Sequence, residues 1–118
     1  MKIRSKDHAE KAYPLVNAIK NTDIETQYRT LALNFPTMIL QSGLVQAVGF
    51  LRAKGEKEHL TLAEHISQLL GYQTVQRLHD ELLQSDITKY QLLTRNAIEA
   101  ASWLKRYTQA LLLSLIHI

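Results

Sequence analysis

Histidines and acidic side chains are the groups of this sequence that could hold a metal ion or transfer protons. Five of them are potential ligands in the middle of the chain: His59, Glu64, His65, His79 and Asp80. Their spacing matches no zinc-binding helix motif such as His-Glu-x-x-His. We therefore expect these side chains to be solvated polar residues on helix surfaces. The sequence predicts no metal site and no cofactor.

The residue patterns that accompany catalysis are also missing from the sequence. Its four glycines are isolated from one another and form no phosphate-binding loop (Gly43, Gly49, Gly55 and Gly71). There is no cysteine, and no Gly-x-Ser-x-Gly elbow presents a serine nucleophile. Asp80 and Glu81 are adjacent, so on a helix they point about 100° apart and cannot easily share a proton. We expect a binding protein rather than an enzyme, with no small-molecule substrate.

Basic residues are the more informative polar group. One set lies opposite the apolar stripe of the predicted last helix: Arg95, Ser102, Lys105, Arg106 and Gln109. Arg52 and Lys54 form a second set at the carboxyl end of an apolar helix. Cations are common at helix C-termini, where they interact favourably with the helix dipole, and on outer faces, where they increase solubility. The alternative is that both sets bind phosphates, with Gln and Ser adding neutral hydrogen bonds.

Aromatic side chains are a further class that could contact nucleic acid, by stacking on bases. The chain has one tryptophan and five tyrosines. Tyr90 and Tyr107 fall on the apolar stripe of the last helix, and Trp103 borders it. For these three residues we expect core packing.

The last helix is the clearest element. Apolar or aromatic residues recur there in steps of three and four: Tyr90, Leu93, Ala97, Ala100, Leu104, Tyr107 and Leu111. This spacing predicts a helix over 87–113, about 40 Å long. Ser85 or Asp86 would be its N-cap.

Two shorter helices are predicted before it. Thr61-Leu-Ala-Glu64 has the form of a capping box and predicts a helix start. Ala63, Ile66, Leu69 and Leu70 share one face of that helix, and Gly71 is placed to end it. The next helix carries Val75, Leu78 and Leu82 and ends near Ser85.

The first half of the chain predicts two or three more helices. Thr22-Asp-Ile-Glu25 is a second capping box, opening a helix that Pro36 should kink and Gly43 should end. The first helix has the stripe Ala9, Tyr13, Val16 and Ile19. Because of Pro14 it is either bent or starts near Tyr13. By composition alone Val45–Leu51 could be a buried strand, but the sequence offers no partner strand, so we expect a helix.

Together these elements predict an all-α, single-domain bundle of five or six helices with a long C-terminal helix, spanning 1–118. Its 118 residues with 46% hydrophobic content suffice for one core, and the net charge of +3 permits a polyanionic partner. No signal peptide or membrane-spanning run is evident, so we expect a cytoplasmic protein without a membrane partner. Residues 114–118 resemble translated sequencing-adapter sequence, and we expect a non-native or truncated ending there.

Two stretches of this chain resemble a known family. Phe35-Pro-Thr-Met-Ile-Leu-Gln-Ser-Gly-Leu-Val-Gln-Ala-Val-Gly-Phe-Leu-Arg-Ala-Lys54 is similar to the signature of the small subunit of type III-B CRISPR effector complexes, the Cmr module. Ala100-Ala-Ser-Trp-Leu-Lys-Arg-Tyr107 is similar to the Trp-Leu-Lys-Arg helix of the same family. With its length and helical content, the resemblance covers the chain from about Lys6 to Leu112.

The resemblance implies an α-helical, non-catalytic subunit, present in several copies along a filament of backbone subunits in an antiviral ribonucleoprotein. Its implied partners are the other effector subunits, further copies of itself, guide RNA and target RNA. The implied RNA-contacting residues at the motifs are Arg52 and Lys54, Lys105 and Arg106, and Gln41 and Ser42 at the Gly turn. In the family an Asn often precedes this Gly, whereas this chain has Ser42 there. Arg95 joins the candidates from its position on the outer face.

Two other functions stay open at this point. The paired short helices of 61–83, separated by Gly71, have the outline of a helix-turn-helix, which would suit a DNA-binding regulator. The helix in recognition position, 75–84, carries Arg77 but also Asp80 and Glu81. A protein–protein adaptor that docks through an apolar tail or face is the other alternative.

Overall fold

The computed structural model of the protein describes residues 4–112, and in this range the chain forms helices and no strand. The six helices are α1 (Arg4–Asn17), α2 (Glu25–Ser42), α3 (Leu44–Lys54), α4 (Lys57–Leu69), α5 (Val75–Gln84) and α6 (Ile87–Leu111). The predicted all-α bundle is confirmed, and 45–51 is helical rather than extended. The predicted non-native ending, 114–118, lies outside the described residues. None of the helices described is long and apolar enough to cross a bilayer.

Helix α6 is the longest element, with 25 residues, and packs along both α1 and α2. Of the two N-cap candidates, Asp86 is the cap, because its carboxylate accepts a 2.8 Å hydrogen bond from the amide of Lys89. The predicted stripe is confirmed, since its central members are buried: Leu93, Ala97, Ala100 and Leu104.

Helices α2 and α3 meet at one residue, Gly43, which ends the first and starts the second. Its backbone has φ 88° and ψ 157°, a conformation essentially restricted to glycine. The corner is held from α6, because the hydroxyl of Tyr90 accepts a 3.1 Å hydrogen bond from the amide of Val45. The prediction that Gly43 ends α2 is therefore confirmed.

Helix α4 ends as predicted but starts earlier. The amides of Gly71 and Tyr72 bond to the carbonyls of Gln68 and Ser67, a Schellman ending with Gly71 at φ 92°. The predicted start at Thr61 is wrong, because α4 begins at Lys57. A capping-box spacing in the middle of a helix has no free amides to satisfy, since the preceding turn already supplies their partners.

The second predicted capping box, at Thr22, is also wrong in its geometry. The hydroxyl of Thr22 donates a 2.6 Å hydrogen bond back to the carbonyl of Ile19, and α2 begins only at Glu25. The carboxylate of Glu25 accepts from the amide of Asn21 at 3.1 Å. A tight turn, with Asn21 at φ 66°, therefore fills the place of the predicted first helical turn.

Helix α1 turns only part of its predicted stripe to the core: Val16 and Ile19 are buried as predicted, whereas Ala9 and Tyr13 are not. Its buried residues are His8, Ala12 and Val16, followed by Ile19 just after the helix, whereas Tyr13 is 47% exposed. The helix runs from Arg4 through Pro14, so the alternative start near Tyr13 is wrong. Pro36 lies in the same way inside the continuous α2. Neighbouring residues on a helix point about 100° apart, so burying Ala12 in place of Tyr13 leaves the tyrosine at the surface.

Candidate nucleic-acid interface

The outer face of α6 carries the first group of predicted residues. Arg95, Arg106 and Gln109 are exposed, and Lys105 lies at the edge of the face, half-buried. Arg95 and Arg106 are eleven residues apart, which is three helical turns, so both lie on one line about 16 Å long. None of the ion pairs found among residues 4–112 includes Arg95, Lys105 or Arg106. These cations are therefore available to phosphates.

Two shallow hollows adjoin this face and meet at Ser102 and Arg106. One is lined by Ser102, Lys105, Arg106 and Gln109, and the other by Ser5, Glu99, Ser102, Trp103 and Arg106. The guanidinium of Arg106 lies over the ring of Trp103, 5.3 Å from its centroid. The ring is fixed in turn by a 3.0 Å hydrogen bond from its indole N–H to Ser5 of α1. Arg106 is thus held in place by a ring while its charge stays unpaired.

Arg52, at the end of α3, is exposed but already bonded to α5. Its two terminal nitrogens lie 2.9 Å from Nδ1 of His79 and 2.7 Å from the side-chain oxygen of Gln76. The amide of Gln76 then donates to Asp80 at 2.7 Å. Arg52 therefore joins two helices in the free chain, whatever else it contacts.

Lys54, Gln41 and Ser42 complete the predicted set, and all three are exposed. The ammonium of Lys54 lies 5.9 Å from the ring centroid of Phe50. Gln41 and Ser42 precede the Gly43 corner, near the first turn of α6. The candidates thus form three groups: the end of α2, the end of α3 and the outer face of α6. Among the described residues no hydrogen bond or ion pair joins one group to another.

The histidines considered as metal ligands are dispersed. His65 is buried and bonded to Tyr28, His79 bonds to Arg52, and His59 packs its ring against Phe50 at 5.6 Å. In the part of the chain that the structure describes, no three His, Asp or Glu side chains come together in a way that could hold a metal ion. The expectation that these residues are solvated is wrong for His65, which packs in the core at 7% exposure.

The surface of α5, the recognition helix of the regulator hypothesis, is partly acidic. Arg77 and Asp80 are exposed there, and Glu81 forms an ion pair with Lys89 of α6. A carboxylate beside Arg77 opposes the approach of a phosphate backbone to this helix. The outer face of α6 is therefore the better candidate for a polyanion.

Sequence reasoning missed Tyr13. Of the five tyrosines, Tyr28 is buried, and Tyr72, Tyr90 and Tyr107 are half-buried. The expected core packing of Tyr90, Tyr107 and Trp103 is confirmed, since all three pack against the buried core. Tyr13 alone among the tyrosines is exposed. The signal that would have found it is the series His8, Ala12 and Val16, whose steps of four define the buried face better than the predicted stripe does.

Comparison with known protein families shows to which family the chain belongs. The family model described as "CRISPR-associated protein (Cas_Cmr5)" matches residues 4–111. The chain belongs to this Cmr5 family. The resemblance carried by the two sequence motifs is thereby confirmed.

Relatives of known description agree with Cmr5 family membership. The "CRISPR system Cmr subunit Cmr5" of Thermus thermophilus is 35% identical over 112 residues, which are 95% of this chain and 98% of that protein. The crystal structure of a CRISPR-associated Cmr5 family protein from the same organism superposes with a TM-score of 0.89 at 35% identity. It covers 94% of this chain and 98% of the other. The helices and their arrangement are therefore those of a Cmr5 family protein along nearly the whole length.

Proposed function

We propose that this protein is the small subunit of a type III-B, or Cmr, CRISPR ribonucleoprotein. Family membership along residues 4–111 and the unpaired cations on the outer face of α6 together support the proposal. In this role the chain has no catalytic step. It binds the other effector subunits and further copies of itself in a cytoplasmic particle, and it lines the groove that holds guide RNA and target RNA during antiviral defence.

The contacts to RNA in this proposal are made to the backbone. Arg95, Lys105 and Arg106 offer charge without a carboxylate partner among the described residues, and Gln109 adds a neutral hydrogen-bonding group. Such groups neutralise phosphates without distinguishing bases. A net charge of +3 is small for an autonomous RNA-binding protein, but it suffices where neighbouring subunits share the phosphates.

Co-purification tests membership of the particle. The full chain is expressed with the backbone subunits and guide RNA of a matching Cmr system, and the assembled particle is isolated. We expect recovery of this chain in a fixed ratio to the backbone subunits. Assembly of the other subunits without it would contradict the proposal.

Charge reversal tests the RNA contacts separately. In the assembled particle, Lys105→Glu with Arg106→Glu should weaken target-RNA capture at least tenfold, because two attractive phosphate contacts become repulsive. Lys20→Glu with Arg77→Glu is the matched control, since it changes the net charge equally at exposed cations elsewhere. Equal capture by both double variants would show that the outer face of α6 does not contact RNA.

A further inference from the structure

An exposed tyrosine beside α6 is left unexplained by the fold. Tyr13 is 47% exposed, and within residues 4–112 its hydroxyl has no hydrogen-bond partner. Its ring meets Tyr107 of α6 edge to face, with centroids 5.3 Å apart and an interplanar angle of 87°. In this T-shaped contact one ring presents only its edge to the other, and Tyr13 keeps much of its ring surface open to solvent.

Tyr107 also packs against a second aromatic ring of α6, and that ring contacts a cation. Tyr107 lies 5.5 Å from Trp103, and Arg106 lies over Trp103 at 5.3 Å. The indole is held by Ser5 of α1. Tyr13 and Arg106 are therefore the two ends of one packed row of side chains across the α1–α6 crossing, which we call the aromatic row (Tyr13, Tyr107, Trp103 and Arg106).

Cations without a carboxylate partner lie at one end of the aromatic row, and Glu10, one turn before Tyr13, is paired with Lys6 at 3.9 Å. Glu99 is the carboxylate that lines the adjacent hollow, and its Oε1 lies 3.0 Å from Nδ1 of His8. Neither Arg106 nor Lys105 takes part in an ion pair among the described residues. An open aromatic surface together with unpaired cations is the combination that binds single-stranded nucleic acid: bases stack on the ring, and phosphates bind the charges. The same charges oppose a basic peptide.

We infer that the aromatic row is a subsite for one unstacked RNA nucleotide, whose base stacks on Tyr13 while neighbouring phosphates reach Arg106 and Lys105. The inference rests on the proposed RNA-binding function and deepens it, because it adds a contact to a base where that function needs only backbone contacts. Every base has a flat face, so the subsite holds a base without selecting its identity.

Photo-crosslinking locates this contact. The full chain is irradiated free at low ionic strength with an oligouridylate RNA that contains 4-thiouridine, and in the assembled particle with a target RNA that contains it, and crosslinked peptides are mapped after trypsin digestion. Tyr13 is the sole aromatic residue in the tryptic peptide 12–20, which makes the assignment unambiguous. We expect a crosslink in this peptide, retained in Tyr13→Phe and reduced at least fivefold in Tyr13→Leu.

An affinity measurement separates stacking from charge. Stacking on one aromatic ring accounts for about a fivefold or larger difference in affinity when the ring is removed. Tyr13→Leu should therefore weaken binding of oligouridylate about fivefold or more, and Tyr13→Phe should not. An abasic ribose-phosphate oligomer of the same length should bind equally to all three proteins. Thermal melting checks that each variant is folded.

The outcomes distinguish this subsite from the proposed function. Crosslinks near Lys105 and Arg106 without any in 12–20 would overturn the subsite and leave backbone binding intact. Complete absence of crosslinks from both the free chain and the assembled particle would overturn the subsite and the RNA contacts, while particle membership would still be decided by co-purification. A crosslink in 12–20 that is found in the free chain and lost in the assembled particle would show that Tyr13 contacts another subunit there, and would also overturn it.

Discussion

The hydroxyl of Tyr28 in α2 lies 2.7 Å from Nδ1 of His65 in α4, and both side chains are buried. Burial raises the pKa of the Tyr28 phenol and lowers the pKa of His65 to about 4, so both groups are neutral near pH 7. Which of the two donates depends on which imidazole nitrogen carries the proton. This is a polar contact in an otherwise apolar layer, and its strength depends on His65 staying unprotonated.

Stability should fall in mild acid because of His65. Above pH 6.5 the imidazole is neutral in the folded and unfolded chains alike, and its contribution is fully present. As the pH falls from 6.5 to 4, the unfolded chain binds a proton that the folded chain does not. We expect the free energy of unfolding to drop by about 3 kcal/mol across this window, as measured by urea denaturation at a series of pH values.

The control for this prediction is His65→Gln, which keeps an acceptor for Tyr28 but does not titrate. Its free energy of unfolding should be lower at pH 7 and should depend less on pH between 6.5 and 4. His79→Gln replaces a histidine outside the core and should leave unchanged the drop in the free energy of unfolding that His65 causes. Parallel pH profiles of the wild-type and His65→Gln proteins would assign the effect elsewhere.

Two glycine substitutions should have opposite effects. Gly43→Ala places a Cβ at a backbone conformation that other residues avoid, 3.5 Å from the Tyr90 hydroxyl, and should destabilise the fold by about 1–3 kcal/mol. Gly49→Ala lies within α3, where the new Cβ meets no atom within 4 Å apart from adjoining parts of its own helix, and should stabilise by about 0.5–1 kcal/mol. Thermal melting of both variants checks the pair. A stable Gly43→Ala protein would mean that the corner can adopt another conformation.

Loss of Arg52 should loosen the contact between α3 and α5. Arg52→Gln removes the hydrogen bonds to His79 and Gln76, and since these are exposed we expect a loss of only about 0.5–1 kcal/mol. Lys54→Gln, in the same turn, removes a charge without such bonds and should change stability less. Denaturant unfolding compares the two variants. If they behaved alike, the charge at the helix end would matter more than the bonds to α5.

The salt dependence of RNA binding should report the number of phosphate contacts. In the assembled particle, Arg95→Gln should lower the slope of log affinity against log salt by roughly one, because one phosphate contact is lost. Lys6→Gln, whose ammonium pairs with Glu10 in α1, serves as the control and should leave the slope unchanged. Filter binding over a range of salt concentrations gives both slopes. An unchanged slope for Arg95→Gln would remove Arg95 from the interface.

Much of the fold could be predicted because the last two helices follow simple rules. In α6 the apolar stripe is long and the cap at Asp86 is strong, so one boundary and the buried face are unambiguous. Helix α5 is likewise bounded by Thr74, whose hydroxyl accepts from the amide of Arg77 at 3.1 Å. Local signals were sufficient there because side chains near in sequence make the deciding contacts.

The errors lie where contacts distant in sequence decide the outcome. Thr61 has the spacing of a cap, but residues 57–60 extend the helix before it. The rotation of α1 depends on its packing against α6, including the bond between Ser5 and Trp103. For the same reason the position of Tyr13 beside Tyr107 and the bond from Arg52 to His79 could not be predicted from spacing. Both pairs join helices whose relative placement the sequence pattern leaves open.

The single-residue junction at Gly43 also limits how this chain can vary in length. Surface connections such as 70–74 can take up inserted residues, since a longer loop there changes little else. Gly43 cannot accommodate an insertion in this way, because the residue that ends α2 also starts α3. Two residues later, the amide of Val45 is bonded to Tyr90. One added residue would turn α3 relative to α2 and displace Arg52 from α5. We therefore expect natural relatives to differ in length at the other connections and to keep this corner without insertions.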